Sequence, residues 1–442
     1  MITDLLNLLI LLLFMLKGFR SPFIALAGVI WVDLYKPQLL AQSFLLEKPL
    51  SLLMTAFFMF VLATNMKQVR RPNSGLFIVL VPAFMIWITL TTIYSMFPEM
   101  AWVKHDVAFK TILFAYFIPF VLGERKHVEL FLWVIMGSLG SYMLTAGAKA
   151  TLGGGGYGVN LINDHPGMTW NEGSTLANQA ISMLPLLYFC ANGSLLVLAR
   201  VHLKKVLFGF GICCFMVLIG TQARTGLVAL AVLIVMTMVY SKHRLKLVLL
   251  VVLAPLVAFP LLPAEFTDRM STLSDTKKES SAHGRVVVWR WTFDFANEHP
   301  IFGGGFYAYL ANAGQLGQYS KFDEVEIETE GGKAFHNIFI EVLGEHGYVG
   351  LLMFVTIIVH TLLISRRLSR DSAAPPWMRL LGLCVFVSTT VYCVGGMFIG
   401  VAFYPWIYYM YGLTVSLKNV YRQELVELRA GRPSTGRRVL GA

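Results

Sequence analysis

The sequence predicts an all-helical polytopic membrane protein, and two observations carry that prediction. Of 442 residues, 56% are hydrophobic and only 14% charged, against about 25% charged in soluble domains, and the mean hydropathy is +0.66. The apolar residues also fall in long runs, and a helix needs roughly 20 of them to cross the hydrocarbon core. The ten-residue alternating segments of a transmembrane barrel do not occur in the sequence.

Apolar runs lie near 4–16, 22–35, 50–65, 76–96, 107–122, 129–149, 175–191, 205–221, 224–240, 245–262, 348–365, 378–396 and 400–418. The first is too short to cross alone, so residues 4–35 make one broken crossing or a tight hairpin. Lys17 and Arg20 follow that run without a small-residue cleavage site, the pattern of a retained anchor and not of a cleaved signal peptide. The five cysteines, Cys190, Cys213, Cys214, Cys384 and Cys393, all fall in apolar stretches without metal-ligand spacing and read as small buried hydrophobes.

The formal charge of +11 is distributed by loop. Lys67, Arg70 and Arg71 mark one connection; Arg125 and Lys126, then Arg200, Lys204 and Lys205, mark the next two. Lys242, Arg244 and Lys246, then Arg366, Arg367 and Arg370, and the tail from Lys418, complete the set. Every second loop is basic, which the positive-inside rule reads as cytoplasmic. The basic balance is therefore mostly topological, and nucleic-acid binding does not follow from it.

The opposite face receives the segment 97–106, the Gly-rich loop 150–174, the turn Thr221–Arg224 and the long segment 263–347. That last segment holds 13 acidic and seven basic residues. A loop of this length is usually functional or disordered, and its Trp289, Trp291, Phe293, Phe295 and Phe302 argue against disorder. The predicted organisation is membrane helices over 1–262, a large outer loop with catalytic elements over 263–347, further membrane helices over 348–418 and a basic tail over 419–442. No internal repeat is visible, which weakens an inverted-repeat transporter.

Three outer-face segments carry groups suited to chemistry. Arg224 stands in Gly220-Thr-Gln-Ala-Arg-Thr-Gly226 at the mouth of a helix, where a charge marks a site or a paired group; an Arg there can also snorkel to lipid phosphates. Thr225-Gly226 beside it would let a ligand approach the backbone. Arg285 and Trp289 share a helix face at i, i+4 spacing, and His299-Pro300 with Gly303-Gly304-Gly305 reads as a helix stop and turn. His336-Asn337 opens an apolar helix, where a histidine can accept a proton near neutral pH. Glu341 and Glu345 follow on that helix and are expected to hold the His336 ring in one tautomer. Lys104 and Lys110 near the outer end of their span are expected either to attract phosphate or to snorkel.

Two arginine forks suit a diphosphate leaving group. The sequence has no Ser-His-Asp arrangement, HExxH or P-loop, which argues against protease and ATPase chemistry. The acid run Asp323–Glu330 reads as a solvated strip rather than a cation site.

The combination of Gln222-Ala-Arg224, Arg285-x-x-x-Trp289 with His299-Pro-x-x-Gly303, and His336-Asn with Glu341-x-x-Gly344 resembles the O-antigen ligase and polymerase superfamily. The resemblance covers about 175–365. The stretch Gly18-Phe-Arg-Ser-Pro-Phe-Ile with Tyr35-Lys-Pro also looks like the exosortase-associated O-glycosylation ligases. The resemblance implies a GT-C-like fold of about 12 transmembrane helices with both termini cytoplasmic, in the bacterial inner membrane. It implies an inverting glycosyltransferase that needs neither metal nor cofactor. The donor would be an undecaprenyl-diphosphate glycan and the acceptor the lipid A-core oligosaccharide on the periplasmic face. On motif position, Arg224 and Arg285 would bind the diphosphate and His336 would activate the acceptor hydroxyl, with Trp289, Lys110 and, in second rank, Arg290 contributing to substrate binding. A polymerase or a protein O-oligosaccharyltransferase would use the same donor. A lipid-linked glycan flippase would instead place charged groups along a path through the spans.

Overall fold

The computed structural model describes residues 2–156, 159–162, 170–198, 201–241, 280–320 and 331–429, with Arg244, Leu249 and Leu253. The expected span 245–262, residues 263–279 of the outer loop, the acid run Asp323–Glu330 and the tail beyond 429 lie outside the described residues, as do Arg200, Lys242 and Lys246. Every element among the described residues is helical. Gly75–Ile93, Arg125–Thr151, His202–Thr221, Ile338–Arg370 and Pro376–Gly396 are long and apolar enough to cross a membrane, and Pro22–Tyr35, Leu50–Thr64 and Arg224–Tyr240 are shorter apolar helices. The chain is a multi-pass membrane protein.

The first two apolar runs form a hairpin. Ile2–Gly18 ends at a turn, Ser21 caps Pro22–Tyr35 by accepting from the Ile24 amide, and the two helices pack together. Pro22 at the first helical position costs no hydrogen bond, because that amide would be unsatisfied anyway.

The segment 97–106, expected as a connection, is instead the first part of a single helix, Pro98–Val121. Pro98 starts it, nothing in Glu99–Asp106 breaks it, and Lys104 is tolerated because it is paired, as described below. This helix packs on Pro405–Arg429, while Gly173–Gly193 packs on both Val201–Thr221 and Pro376–Gly396. Cys190, Cys214, Cys384 and Cys393 are buried and Cys213 is half-buried; all are free thiols, as their apolar settings predict.

The outer-loop helix Ser280–Glu298 ends at His299-Pro300 as expected. It packs on Ile338–Arg370 through a small cluster of its own, with Val287, Val288, Trp291 and Phe295 against Phe335 and Ile340. That contact sets Arg285 and Trp289 beside the His336 turn.

Candidate functional site

Asn337 caps the helix Ile338–Arg370, its side-chain oxygen accepting from the Phe339 and Ile340 amides at 2.9 and 3.4 Å. An Asn cap of this kind satisfies amides that have no partner inside the helix. Ten residues after the cap, Gly347 takes φ 67, ψ −171 and breaks the helix into a short segment, 338–346, and a long one.

The turn after Ser280–Glu298 docks against this break. Gly304 donates to the Gly344 carbonyl and Gly305 to that of Glu345, both at 2.9 Å, and Tyr348 donates to Pro300 at 2.9 Å. A Cβ at Gly347 would lie 2.3 Å from the Ile301 carbonyl oxygen, and one at Gly303 would lie 2.7 Å from that of Gly344. Gly303-Gly304-Gly305 is thus a docking seam for the short segment.

Lys104 ties the segment down from the other side. Its Nζ lies 2.7 Å from Glu341 Oε1, and 2.7 and 2.9 Å from the two oxygens of Glu345. Glu341 Oε2 also accepts from the Ala402 amide at 3.1 Å, and Glu345 Oε1 from the Tyr307 amide at 3.0 Å. The ammonium faces the rings of Phe306, Tyr307 and Phe403 at 5.3 to 5.7 Å, a cation–π setting. Beside it, His346 Nδ1 is 2.7 Å from Thr91 Oγ1 and the residue is fully buried. Glu341 and Glu345 therefore hold Lys104 rather than the His336 ring, because the ammonium lies within direct hydrogen-bond reach of both. The ammonium of Lys104 is likewise occupied by carboxylates and not presented to a phosphate.

His336 precedes the cap with φ 46, the left-handed region that β-carbon-bearing residues rarely occupy and that clusters at functional sites. Trp289 helps fix this turn: its indole N–H donates to the Phe335 carbonyl at 2.9 Å. Burial pushes the His336 imidazole below its ordinary value. The charges of Glu172 and Glu341 pull it back up, and that of Arg285 pulls it down. The charges of Glu172, Arg285 and Glu341 thus act on the His336 ring, and burial favours its neutral form.

Arg224 is the first residue of Arg224–Tyr240. The preceding Gln222 has φ 50, so two of the sequence motifs each hold a strained residue just before a helix start. Thr221 of this turn lies against Gly173: a Cβ there would meet the Thr221 Cβ at 3.3 Å. Glu172, next in the chain, acts on His336. Gly226 is not open to a ligand, because a Cβ there would lie 2.4 Å from Leu218 Cδ1 and 2.8 Å from Ala177 Cβ. It serves close packing of three helices.

Lys110 pairs with Asp106 at 2.6 Å, an i, i+4 pair. Arg290 is exposed on the outer-loop helix. Two features escaped the sequence reading. Glu172 stands alone at the end of the Gly-rich loop with no motif around it, although an acid directly before an apolar helix was a usable signal. The partnership of Lys104 with Glu341 and Glu345 joins residues 237 and 241 positions apart, a separation no local pattern reports. Among the described residues no cluster of His, Cys, Asp and Glu is arranged to hold a metal ion.

Residues 2–195 match a family of unknown function (DUF5935) and residues 209–355 match the O-antigen ligase family. Over 108 residues the chain is 31% identical to the exopolysaccharide production protein ExoQ of Rhizobium meliloti (strain 1021). That stretch is 24% of this chain and 24% of the relative, so the similarity spans about a quarter of either protein. Arg224, Arg285 and His336 all fall within 209–355. The likeness to the O-antigen ligase family therefore covers about a third of the chain and takes in all three of these residues.

Proposed function

We propose that the protein is an O-antigen ligase, an inverting, metal-independent glycosyltransferase of the inner membrane with its site on the periplasmic side. The donor is a glycan on undecaprenyl diphosphate and the acceptor a sugar hydroxyl of lipid A-core. The observation that carries this reading is the set of charges acting on His336: a half-buried imidazole whose neutral form burial favours, with the Arg285 charge also acting on it. His336 takes the proton of the acceptor hydroxyl, whose oxygen attacks the anomeric carbon. The bond from that carbon to the phosphate oxygen breaks, and undecaprenyl diphosphate leaves with the electron pair. Arg285 and Arg224 meet the charge on the leaving diphosphate, as preorganised cations do in a water-poor site. Trp289 holds the His336 turn from behind, and Arg290 and Lys110 contribute at the edge of substrate binding. Holding two membrane-bound substrates in one place supplies a large share of the rate.

A second reading, transfer to a growing polysaccharide, is favoured by the similarity to a protein of exopolysaccharide production. Incubation of the purified protein with lipid-linked glycan and lipid A-core distinguishes the two. Ligated lipid A-core, lost on His336→Ala, is the expected product. Lengthened lipid-linked glycan without ligation would replace the ligase reading with the polymerase. Glycan transport across vesicles with no covalent product would overturn both.

A further inference from the structure

The face that carries the basic loops holds a cavity whose construction exceeds what topology requires. Three connections converge on it. Gln68 Nε2 donates to the Arg20 carbonyl at 3.0 Å, Asn65 Nδ2 donates to that of Phe19 at 3.3 Å, and the Arg70 amide donates to the Phe120 carbonyl at 2.9 Å. Between them lies a space of about 270 Å³ lined by Ser21, Lys67, Arg70, Gly123, Glu124 and His127, among others. Arg20, Arg71 and Lys126 each adjoin a lining residue in the chain. The positive-inside rule asks only that basic residues stay on one side of the membrane. It gives no reason to bring three basic loops together, which mutual repulsion opposes.

Arg70 is seated rather than loose. Its Nη1 donates to Gln423 Oε1 at 2.5 Å and to the Gly123 carbonyl at 3.4 Å. A Cβ at Gly123 would lie 3.1 Å from Nη1 and 3.2 Å from Cδ, so the Arg70 side chain packs closely over Gly123. Two helices also begin at the cavity, Pro22–Tyr35 after Ser21 and Arg125–Thr151 after Glu124. The ends of helices that begin at a site carry partial positive charge. The ring of His127 stacks on Phe23 at 4.5 Å and closes one wall. Against these cations the lining offers one carboxylate, Glu124.

We propose that this cavity binds the phosphate group of an anionic ligand, either a phospholipid headgroup or a soluble phosphate, through Lys67 and Arg70. Basic pockets between membrane helices recognise lipid phosphates in this way. The site lies in the part of the chain that matches a family of unknown function, so it stands apart from the transferase reading.

The test is native mass spectrometry of the full-length protein, titrated with phosphatidylglycerol, phosphatidylcholine or inorganic phosphate. The expected result is preferential retention of phosphatidylglycerol, weakened about tenfold or more by the double variant Lys67→Gln/Arg70→Gln. Gly123→Ala leaves every charge in place and is expected to weaken binding as well, by displacing the guanidinium. If inorganic phosphate binds with the same dependence on the variants, the source is soluble; if only the lipid does, it is the headgroup. Two results would overturn the proposal: unchanged binding in the double variant, or an equal loss in Arg367→Gln/Arg370→Gln, which removes the same charge from the basic residues of another loop.

Discussion

Residues 336 and 341–345 lie within ten positions of one another, yet the structure treats their charges in opposite ways. At Glu341 and Glu345 every carboxylate oxygen meets Lys104 or a backbone amide. At His336 the ring takes no hydrogen bond among the described residues, and the charges of Glu172 and Arg285 act on it in opposite directions. A closed knot of charges fixes geometry and has nothing left to offer a substrate. An imidazole without such partners, held on a strained turn, is suited to accept a proton. The difference teaches that a charge at membrane depth has to be sorted by its partners before it is assigned to chemistry.

The largest expected effect breaks the comparison at its open end. His336→Ala is expected to lower glycan transfer by about 10²- to 10⁴-fold, the usual contribution of a positioned general base. The fold should be undisturbed, because the turn is held by Trp289 and Asn337 rather than by the imidazole. Transfer measured on purified variant and parent, with thermal unfolding alongside, checks both halves. Wild-type transfer would remove His336 from the reaction.

The closed end should behave in the reverse manner. Lys104→Met leaves two carboxylates buried without their ammonium, and breaking a buried pair in this way costs about 3–5 kcal/mol. The variant is therefore expected to unfold at a clearly lower temperature. Glu345→Gln added to it should recover part of the loss by removing one of the stranded charges. A Lys104→Met protein as stable as the parent would show that the knot does not hold the segment. Gly347→Ala probes the same segment through its backbone. At φ 67 with a carbonyl oxygen 2.3 Å from the added carbon, it should cost about 1–3 kcal/mol of stability, read by the same unfolding measurement.

Much of the fold was legible in the sequence, and the reasons are local. Apolar runs marked the helices, His299-Pro300 ended Ser280–Glu298, and Asn337 was recognisable as the start of the helix that follows. Lys104 was not legible as a structural residue, since its partners come from a helix more than 230 positions away. For the same reason the helix at Pro98–Val121 was read as beginning only at the apolar residues after Asp106. The Gly303-Gly304-Gly305 run gave a turn correctly, but its docking against Gly344 and Glu345 depends on backbone contacts that composition does not encode. At the candidate site, motif resemblance singled out Arg285, Trp289 and His336, whereas Glu172, whose charge acts on the imidazole, lies in no motif.

Glu172 gives the finest test of the open end, because its effect has a sign. Burial lowers the His336 value, so the ring stays neutral at neutral pH and the acid limb of transfer is expected below the ordinary histidine value of about 6.5. Linkage runs the same way: a histidine with a lowered folded value binds fewer protons folded than unfolded in acid. Its contribution to stability is present above the unfolded value and lost as pH falls. Glu172 raises the His336 value, so Glu172→Gln should move the acid limb to lower pH. Arg285 lowers it, so the residual activity of Arg285→Gln should show a limb moved to higher pH. Opposite shifts in two variants whose charges oppose each other at one ring cannot come from a general loss of structure, which would lower the rate without reversing the direction. Limbs that move together, or not at all, would mean that a group other than His336 takes the proton.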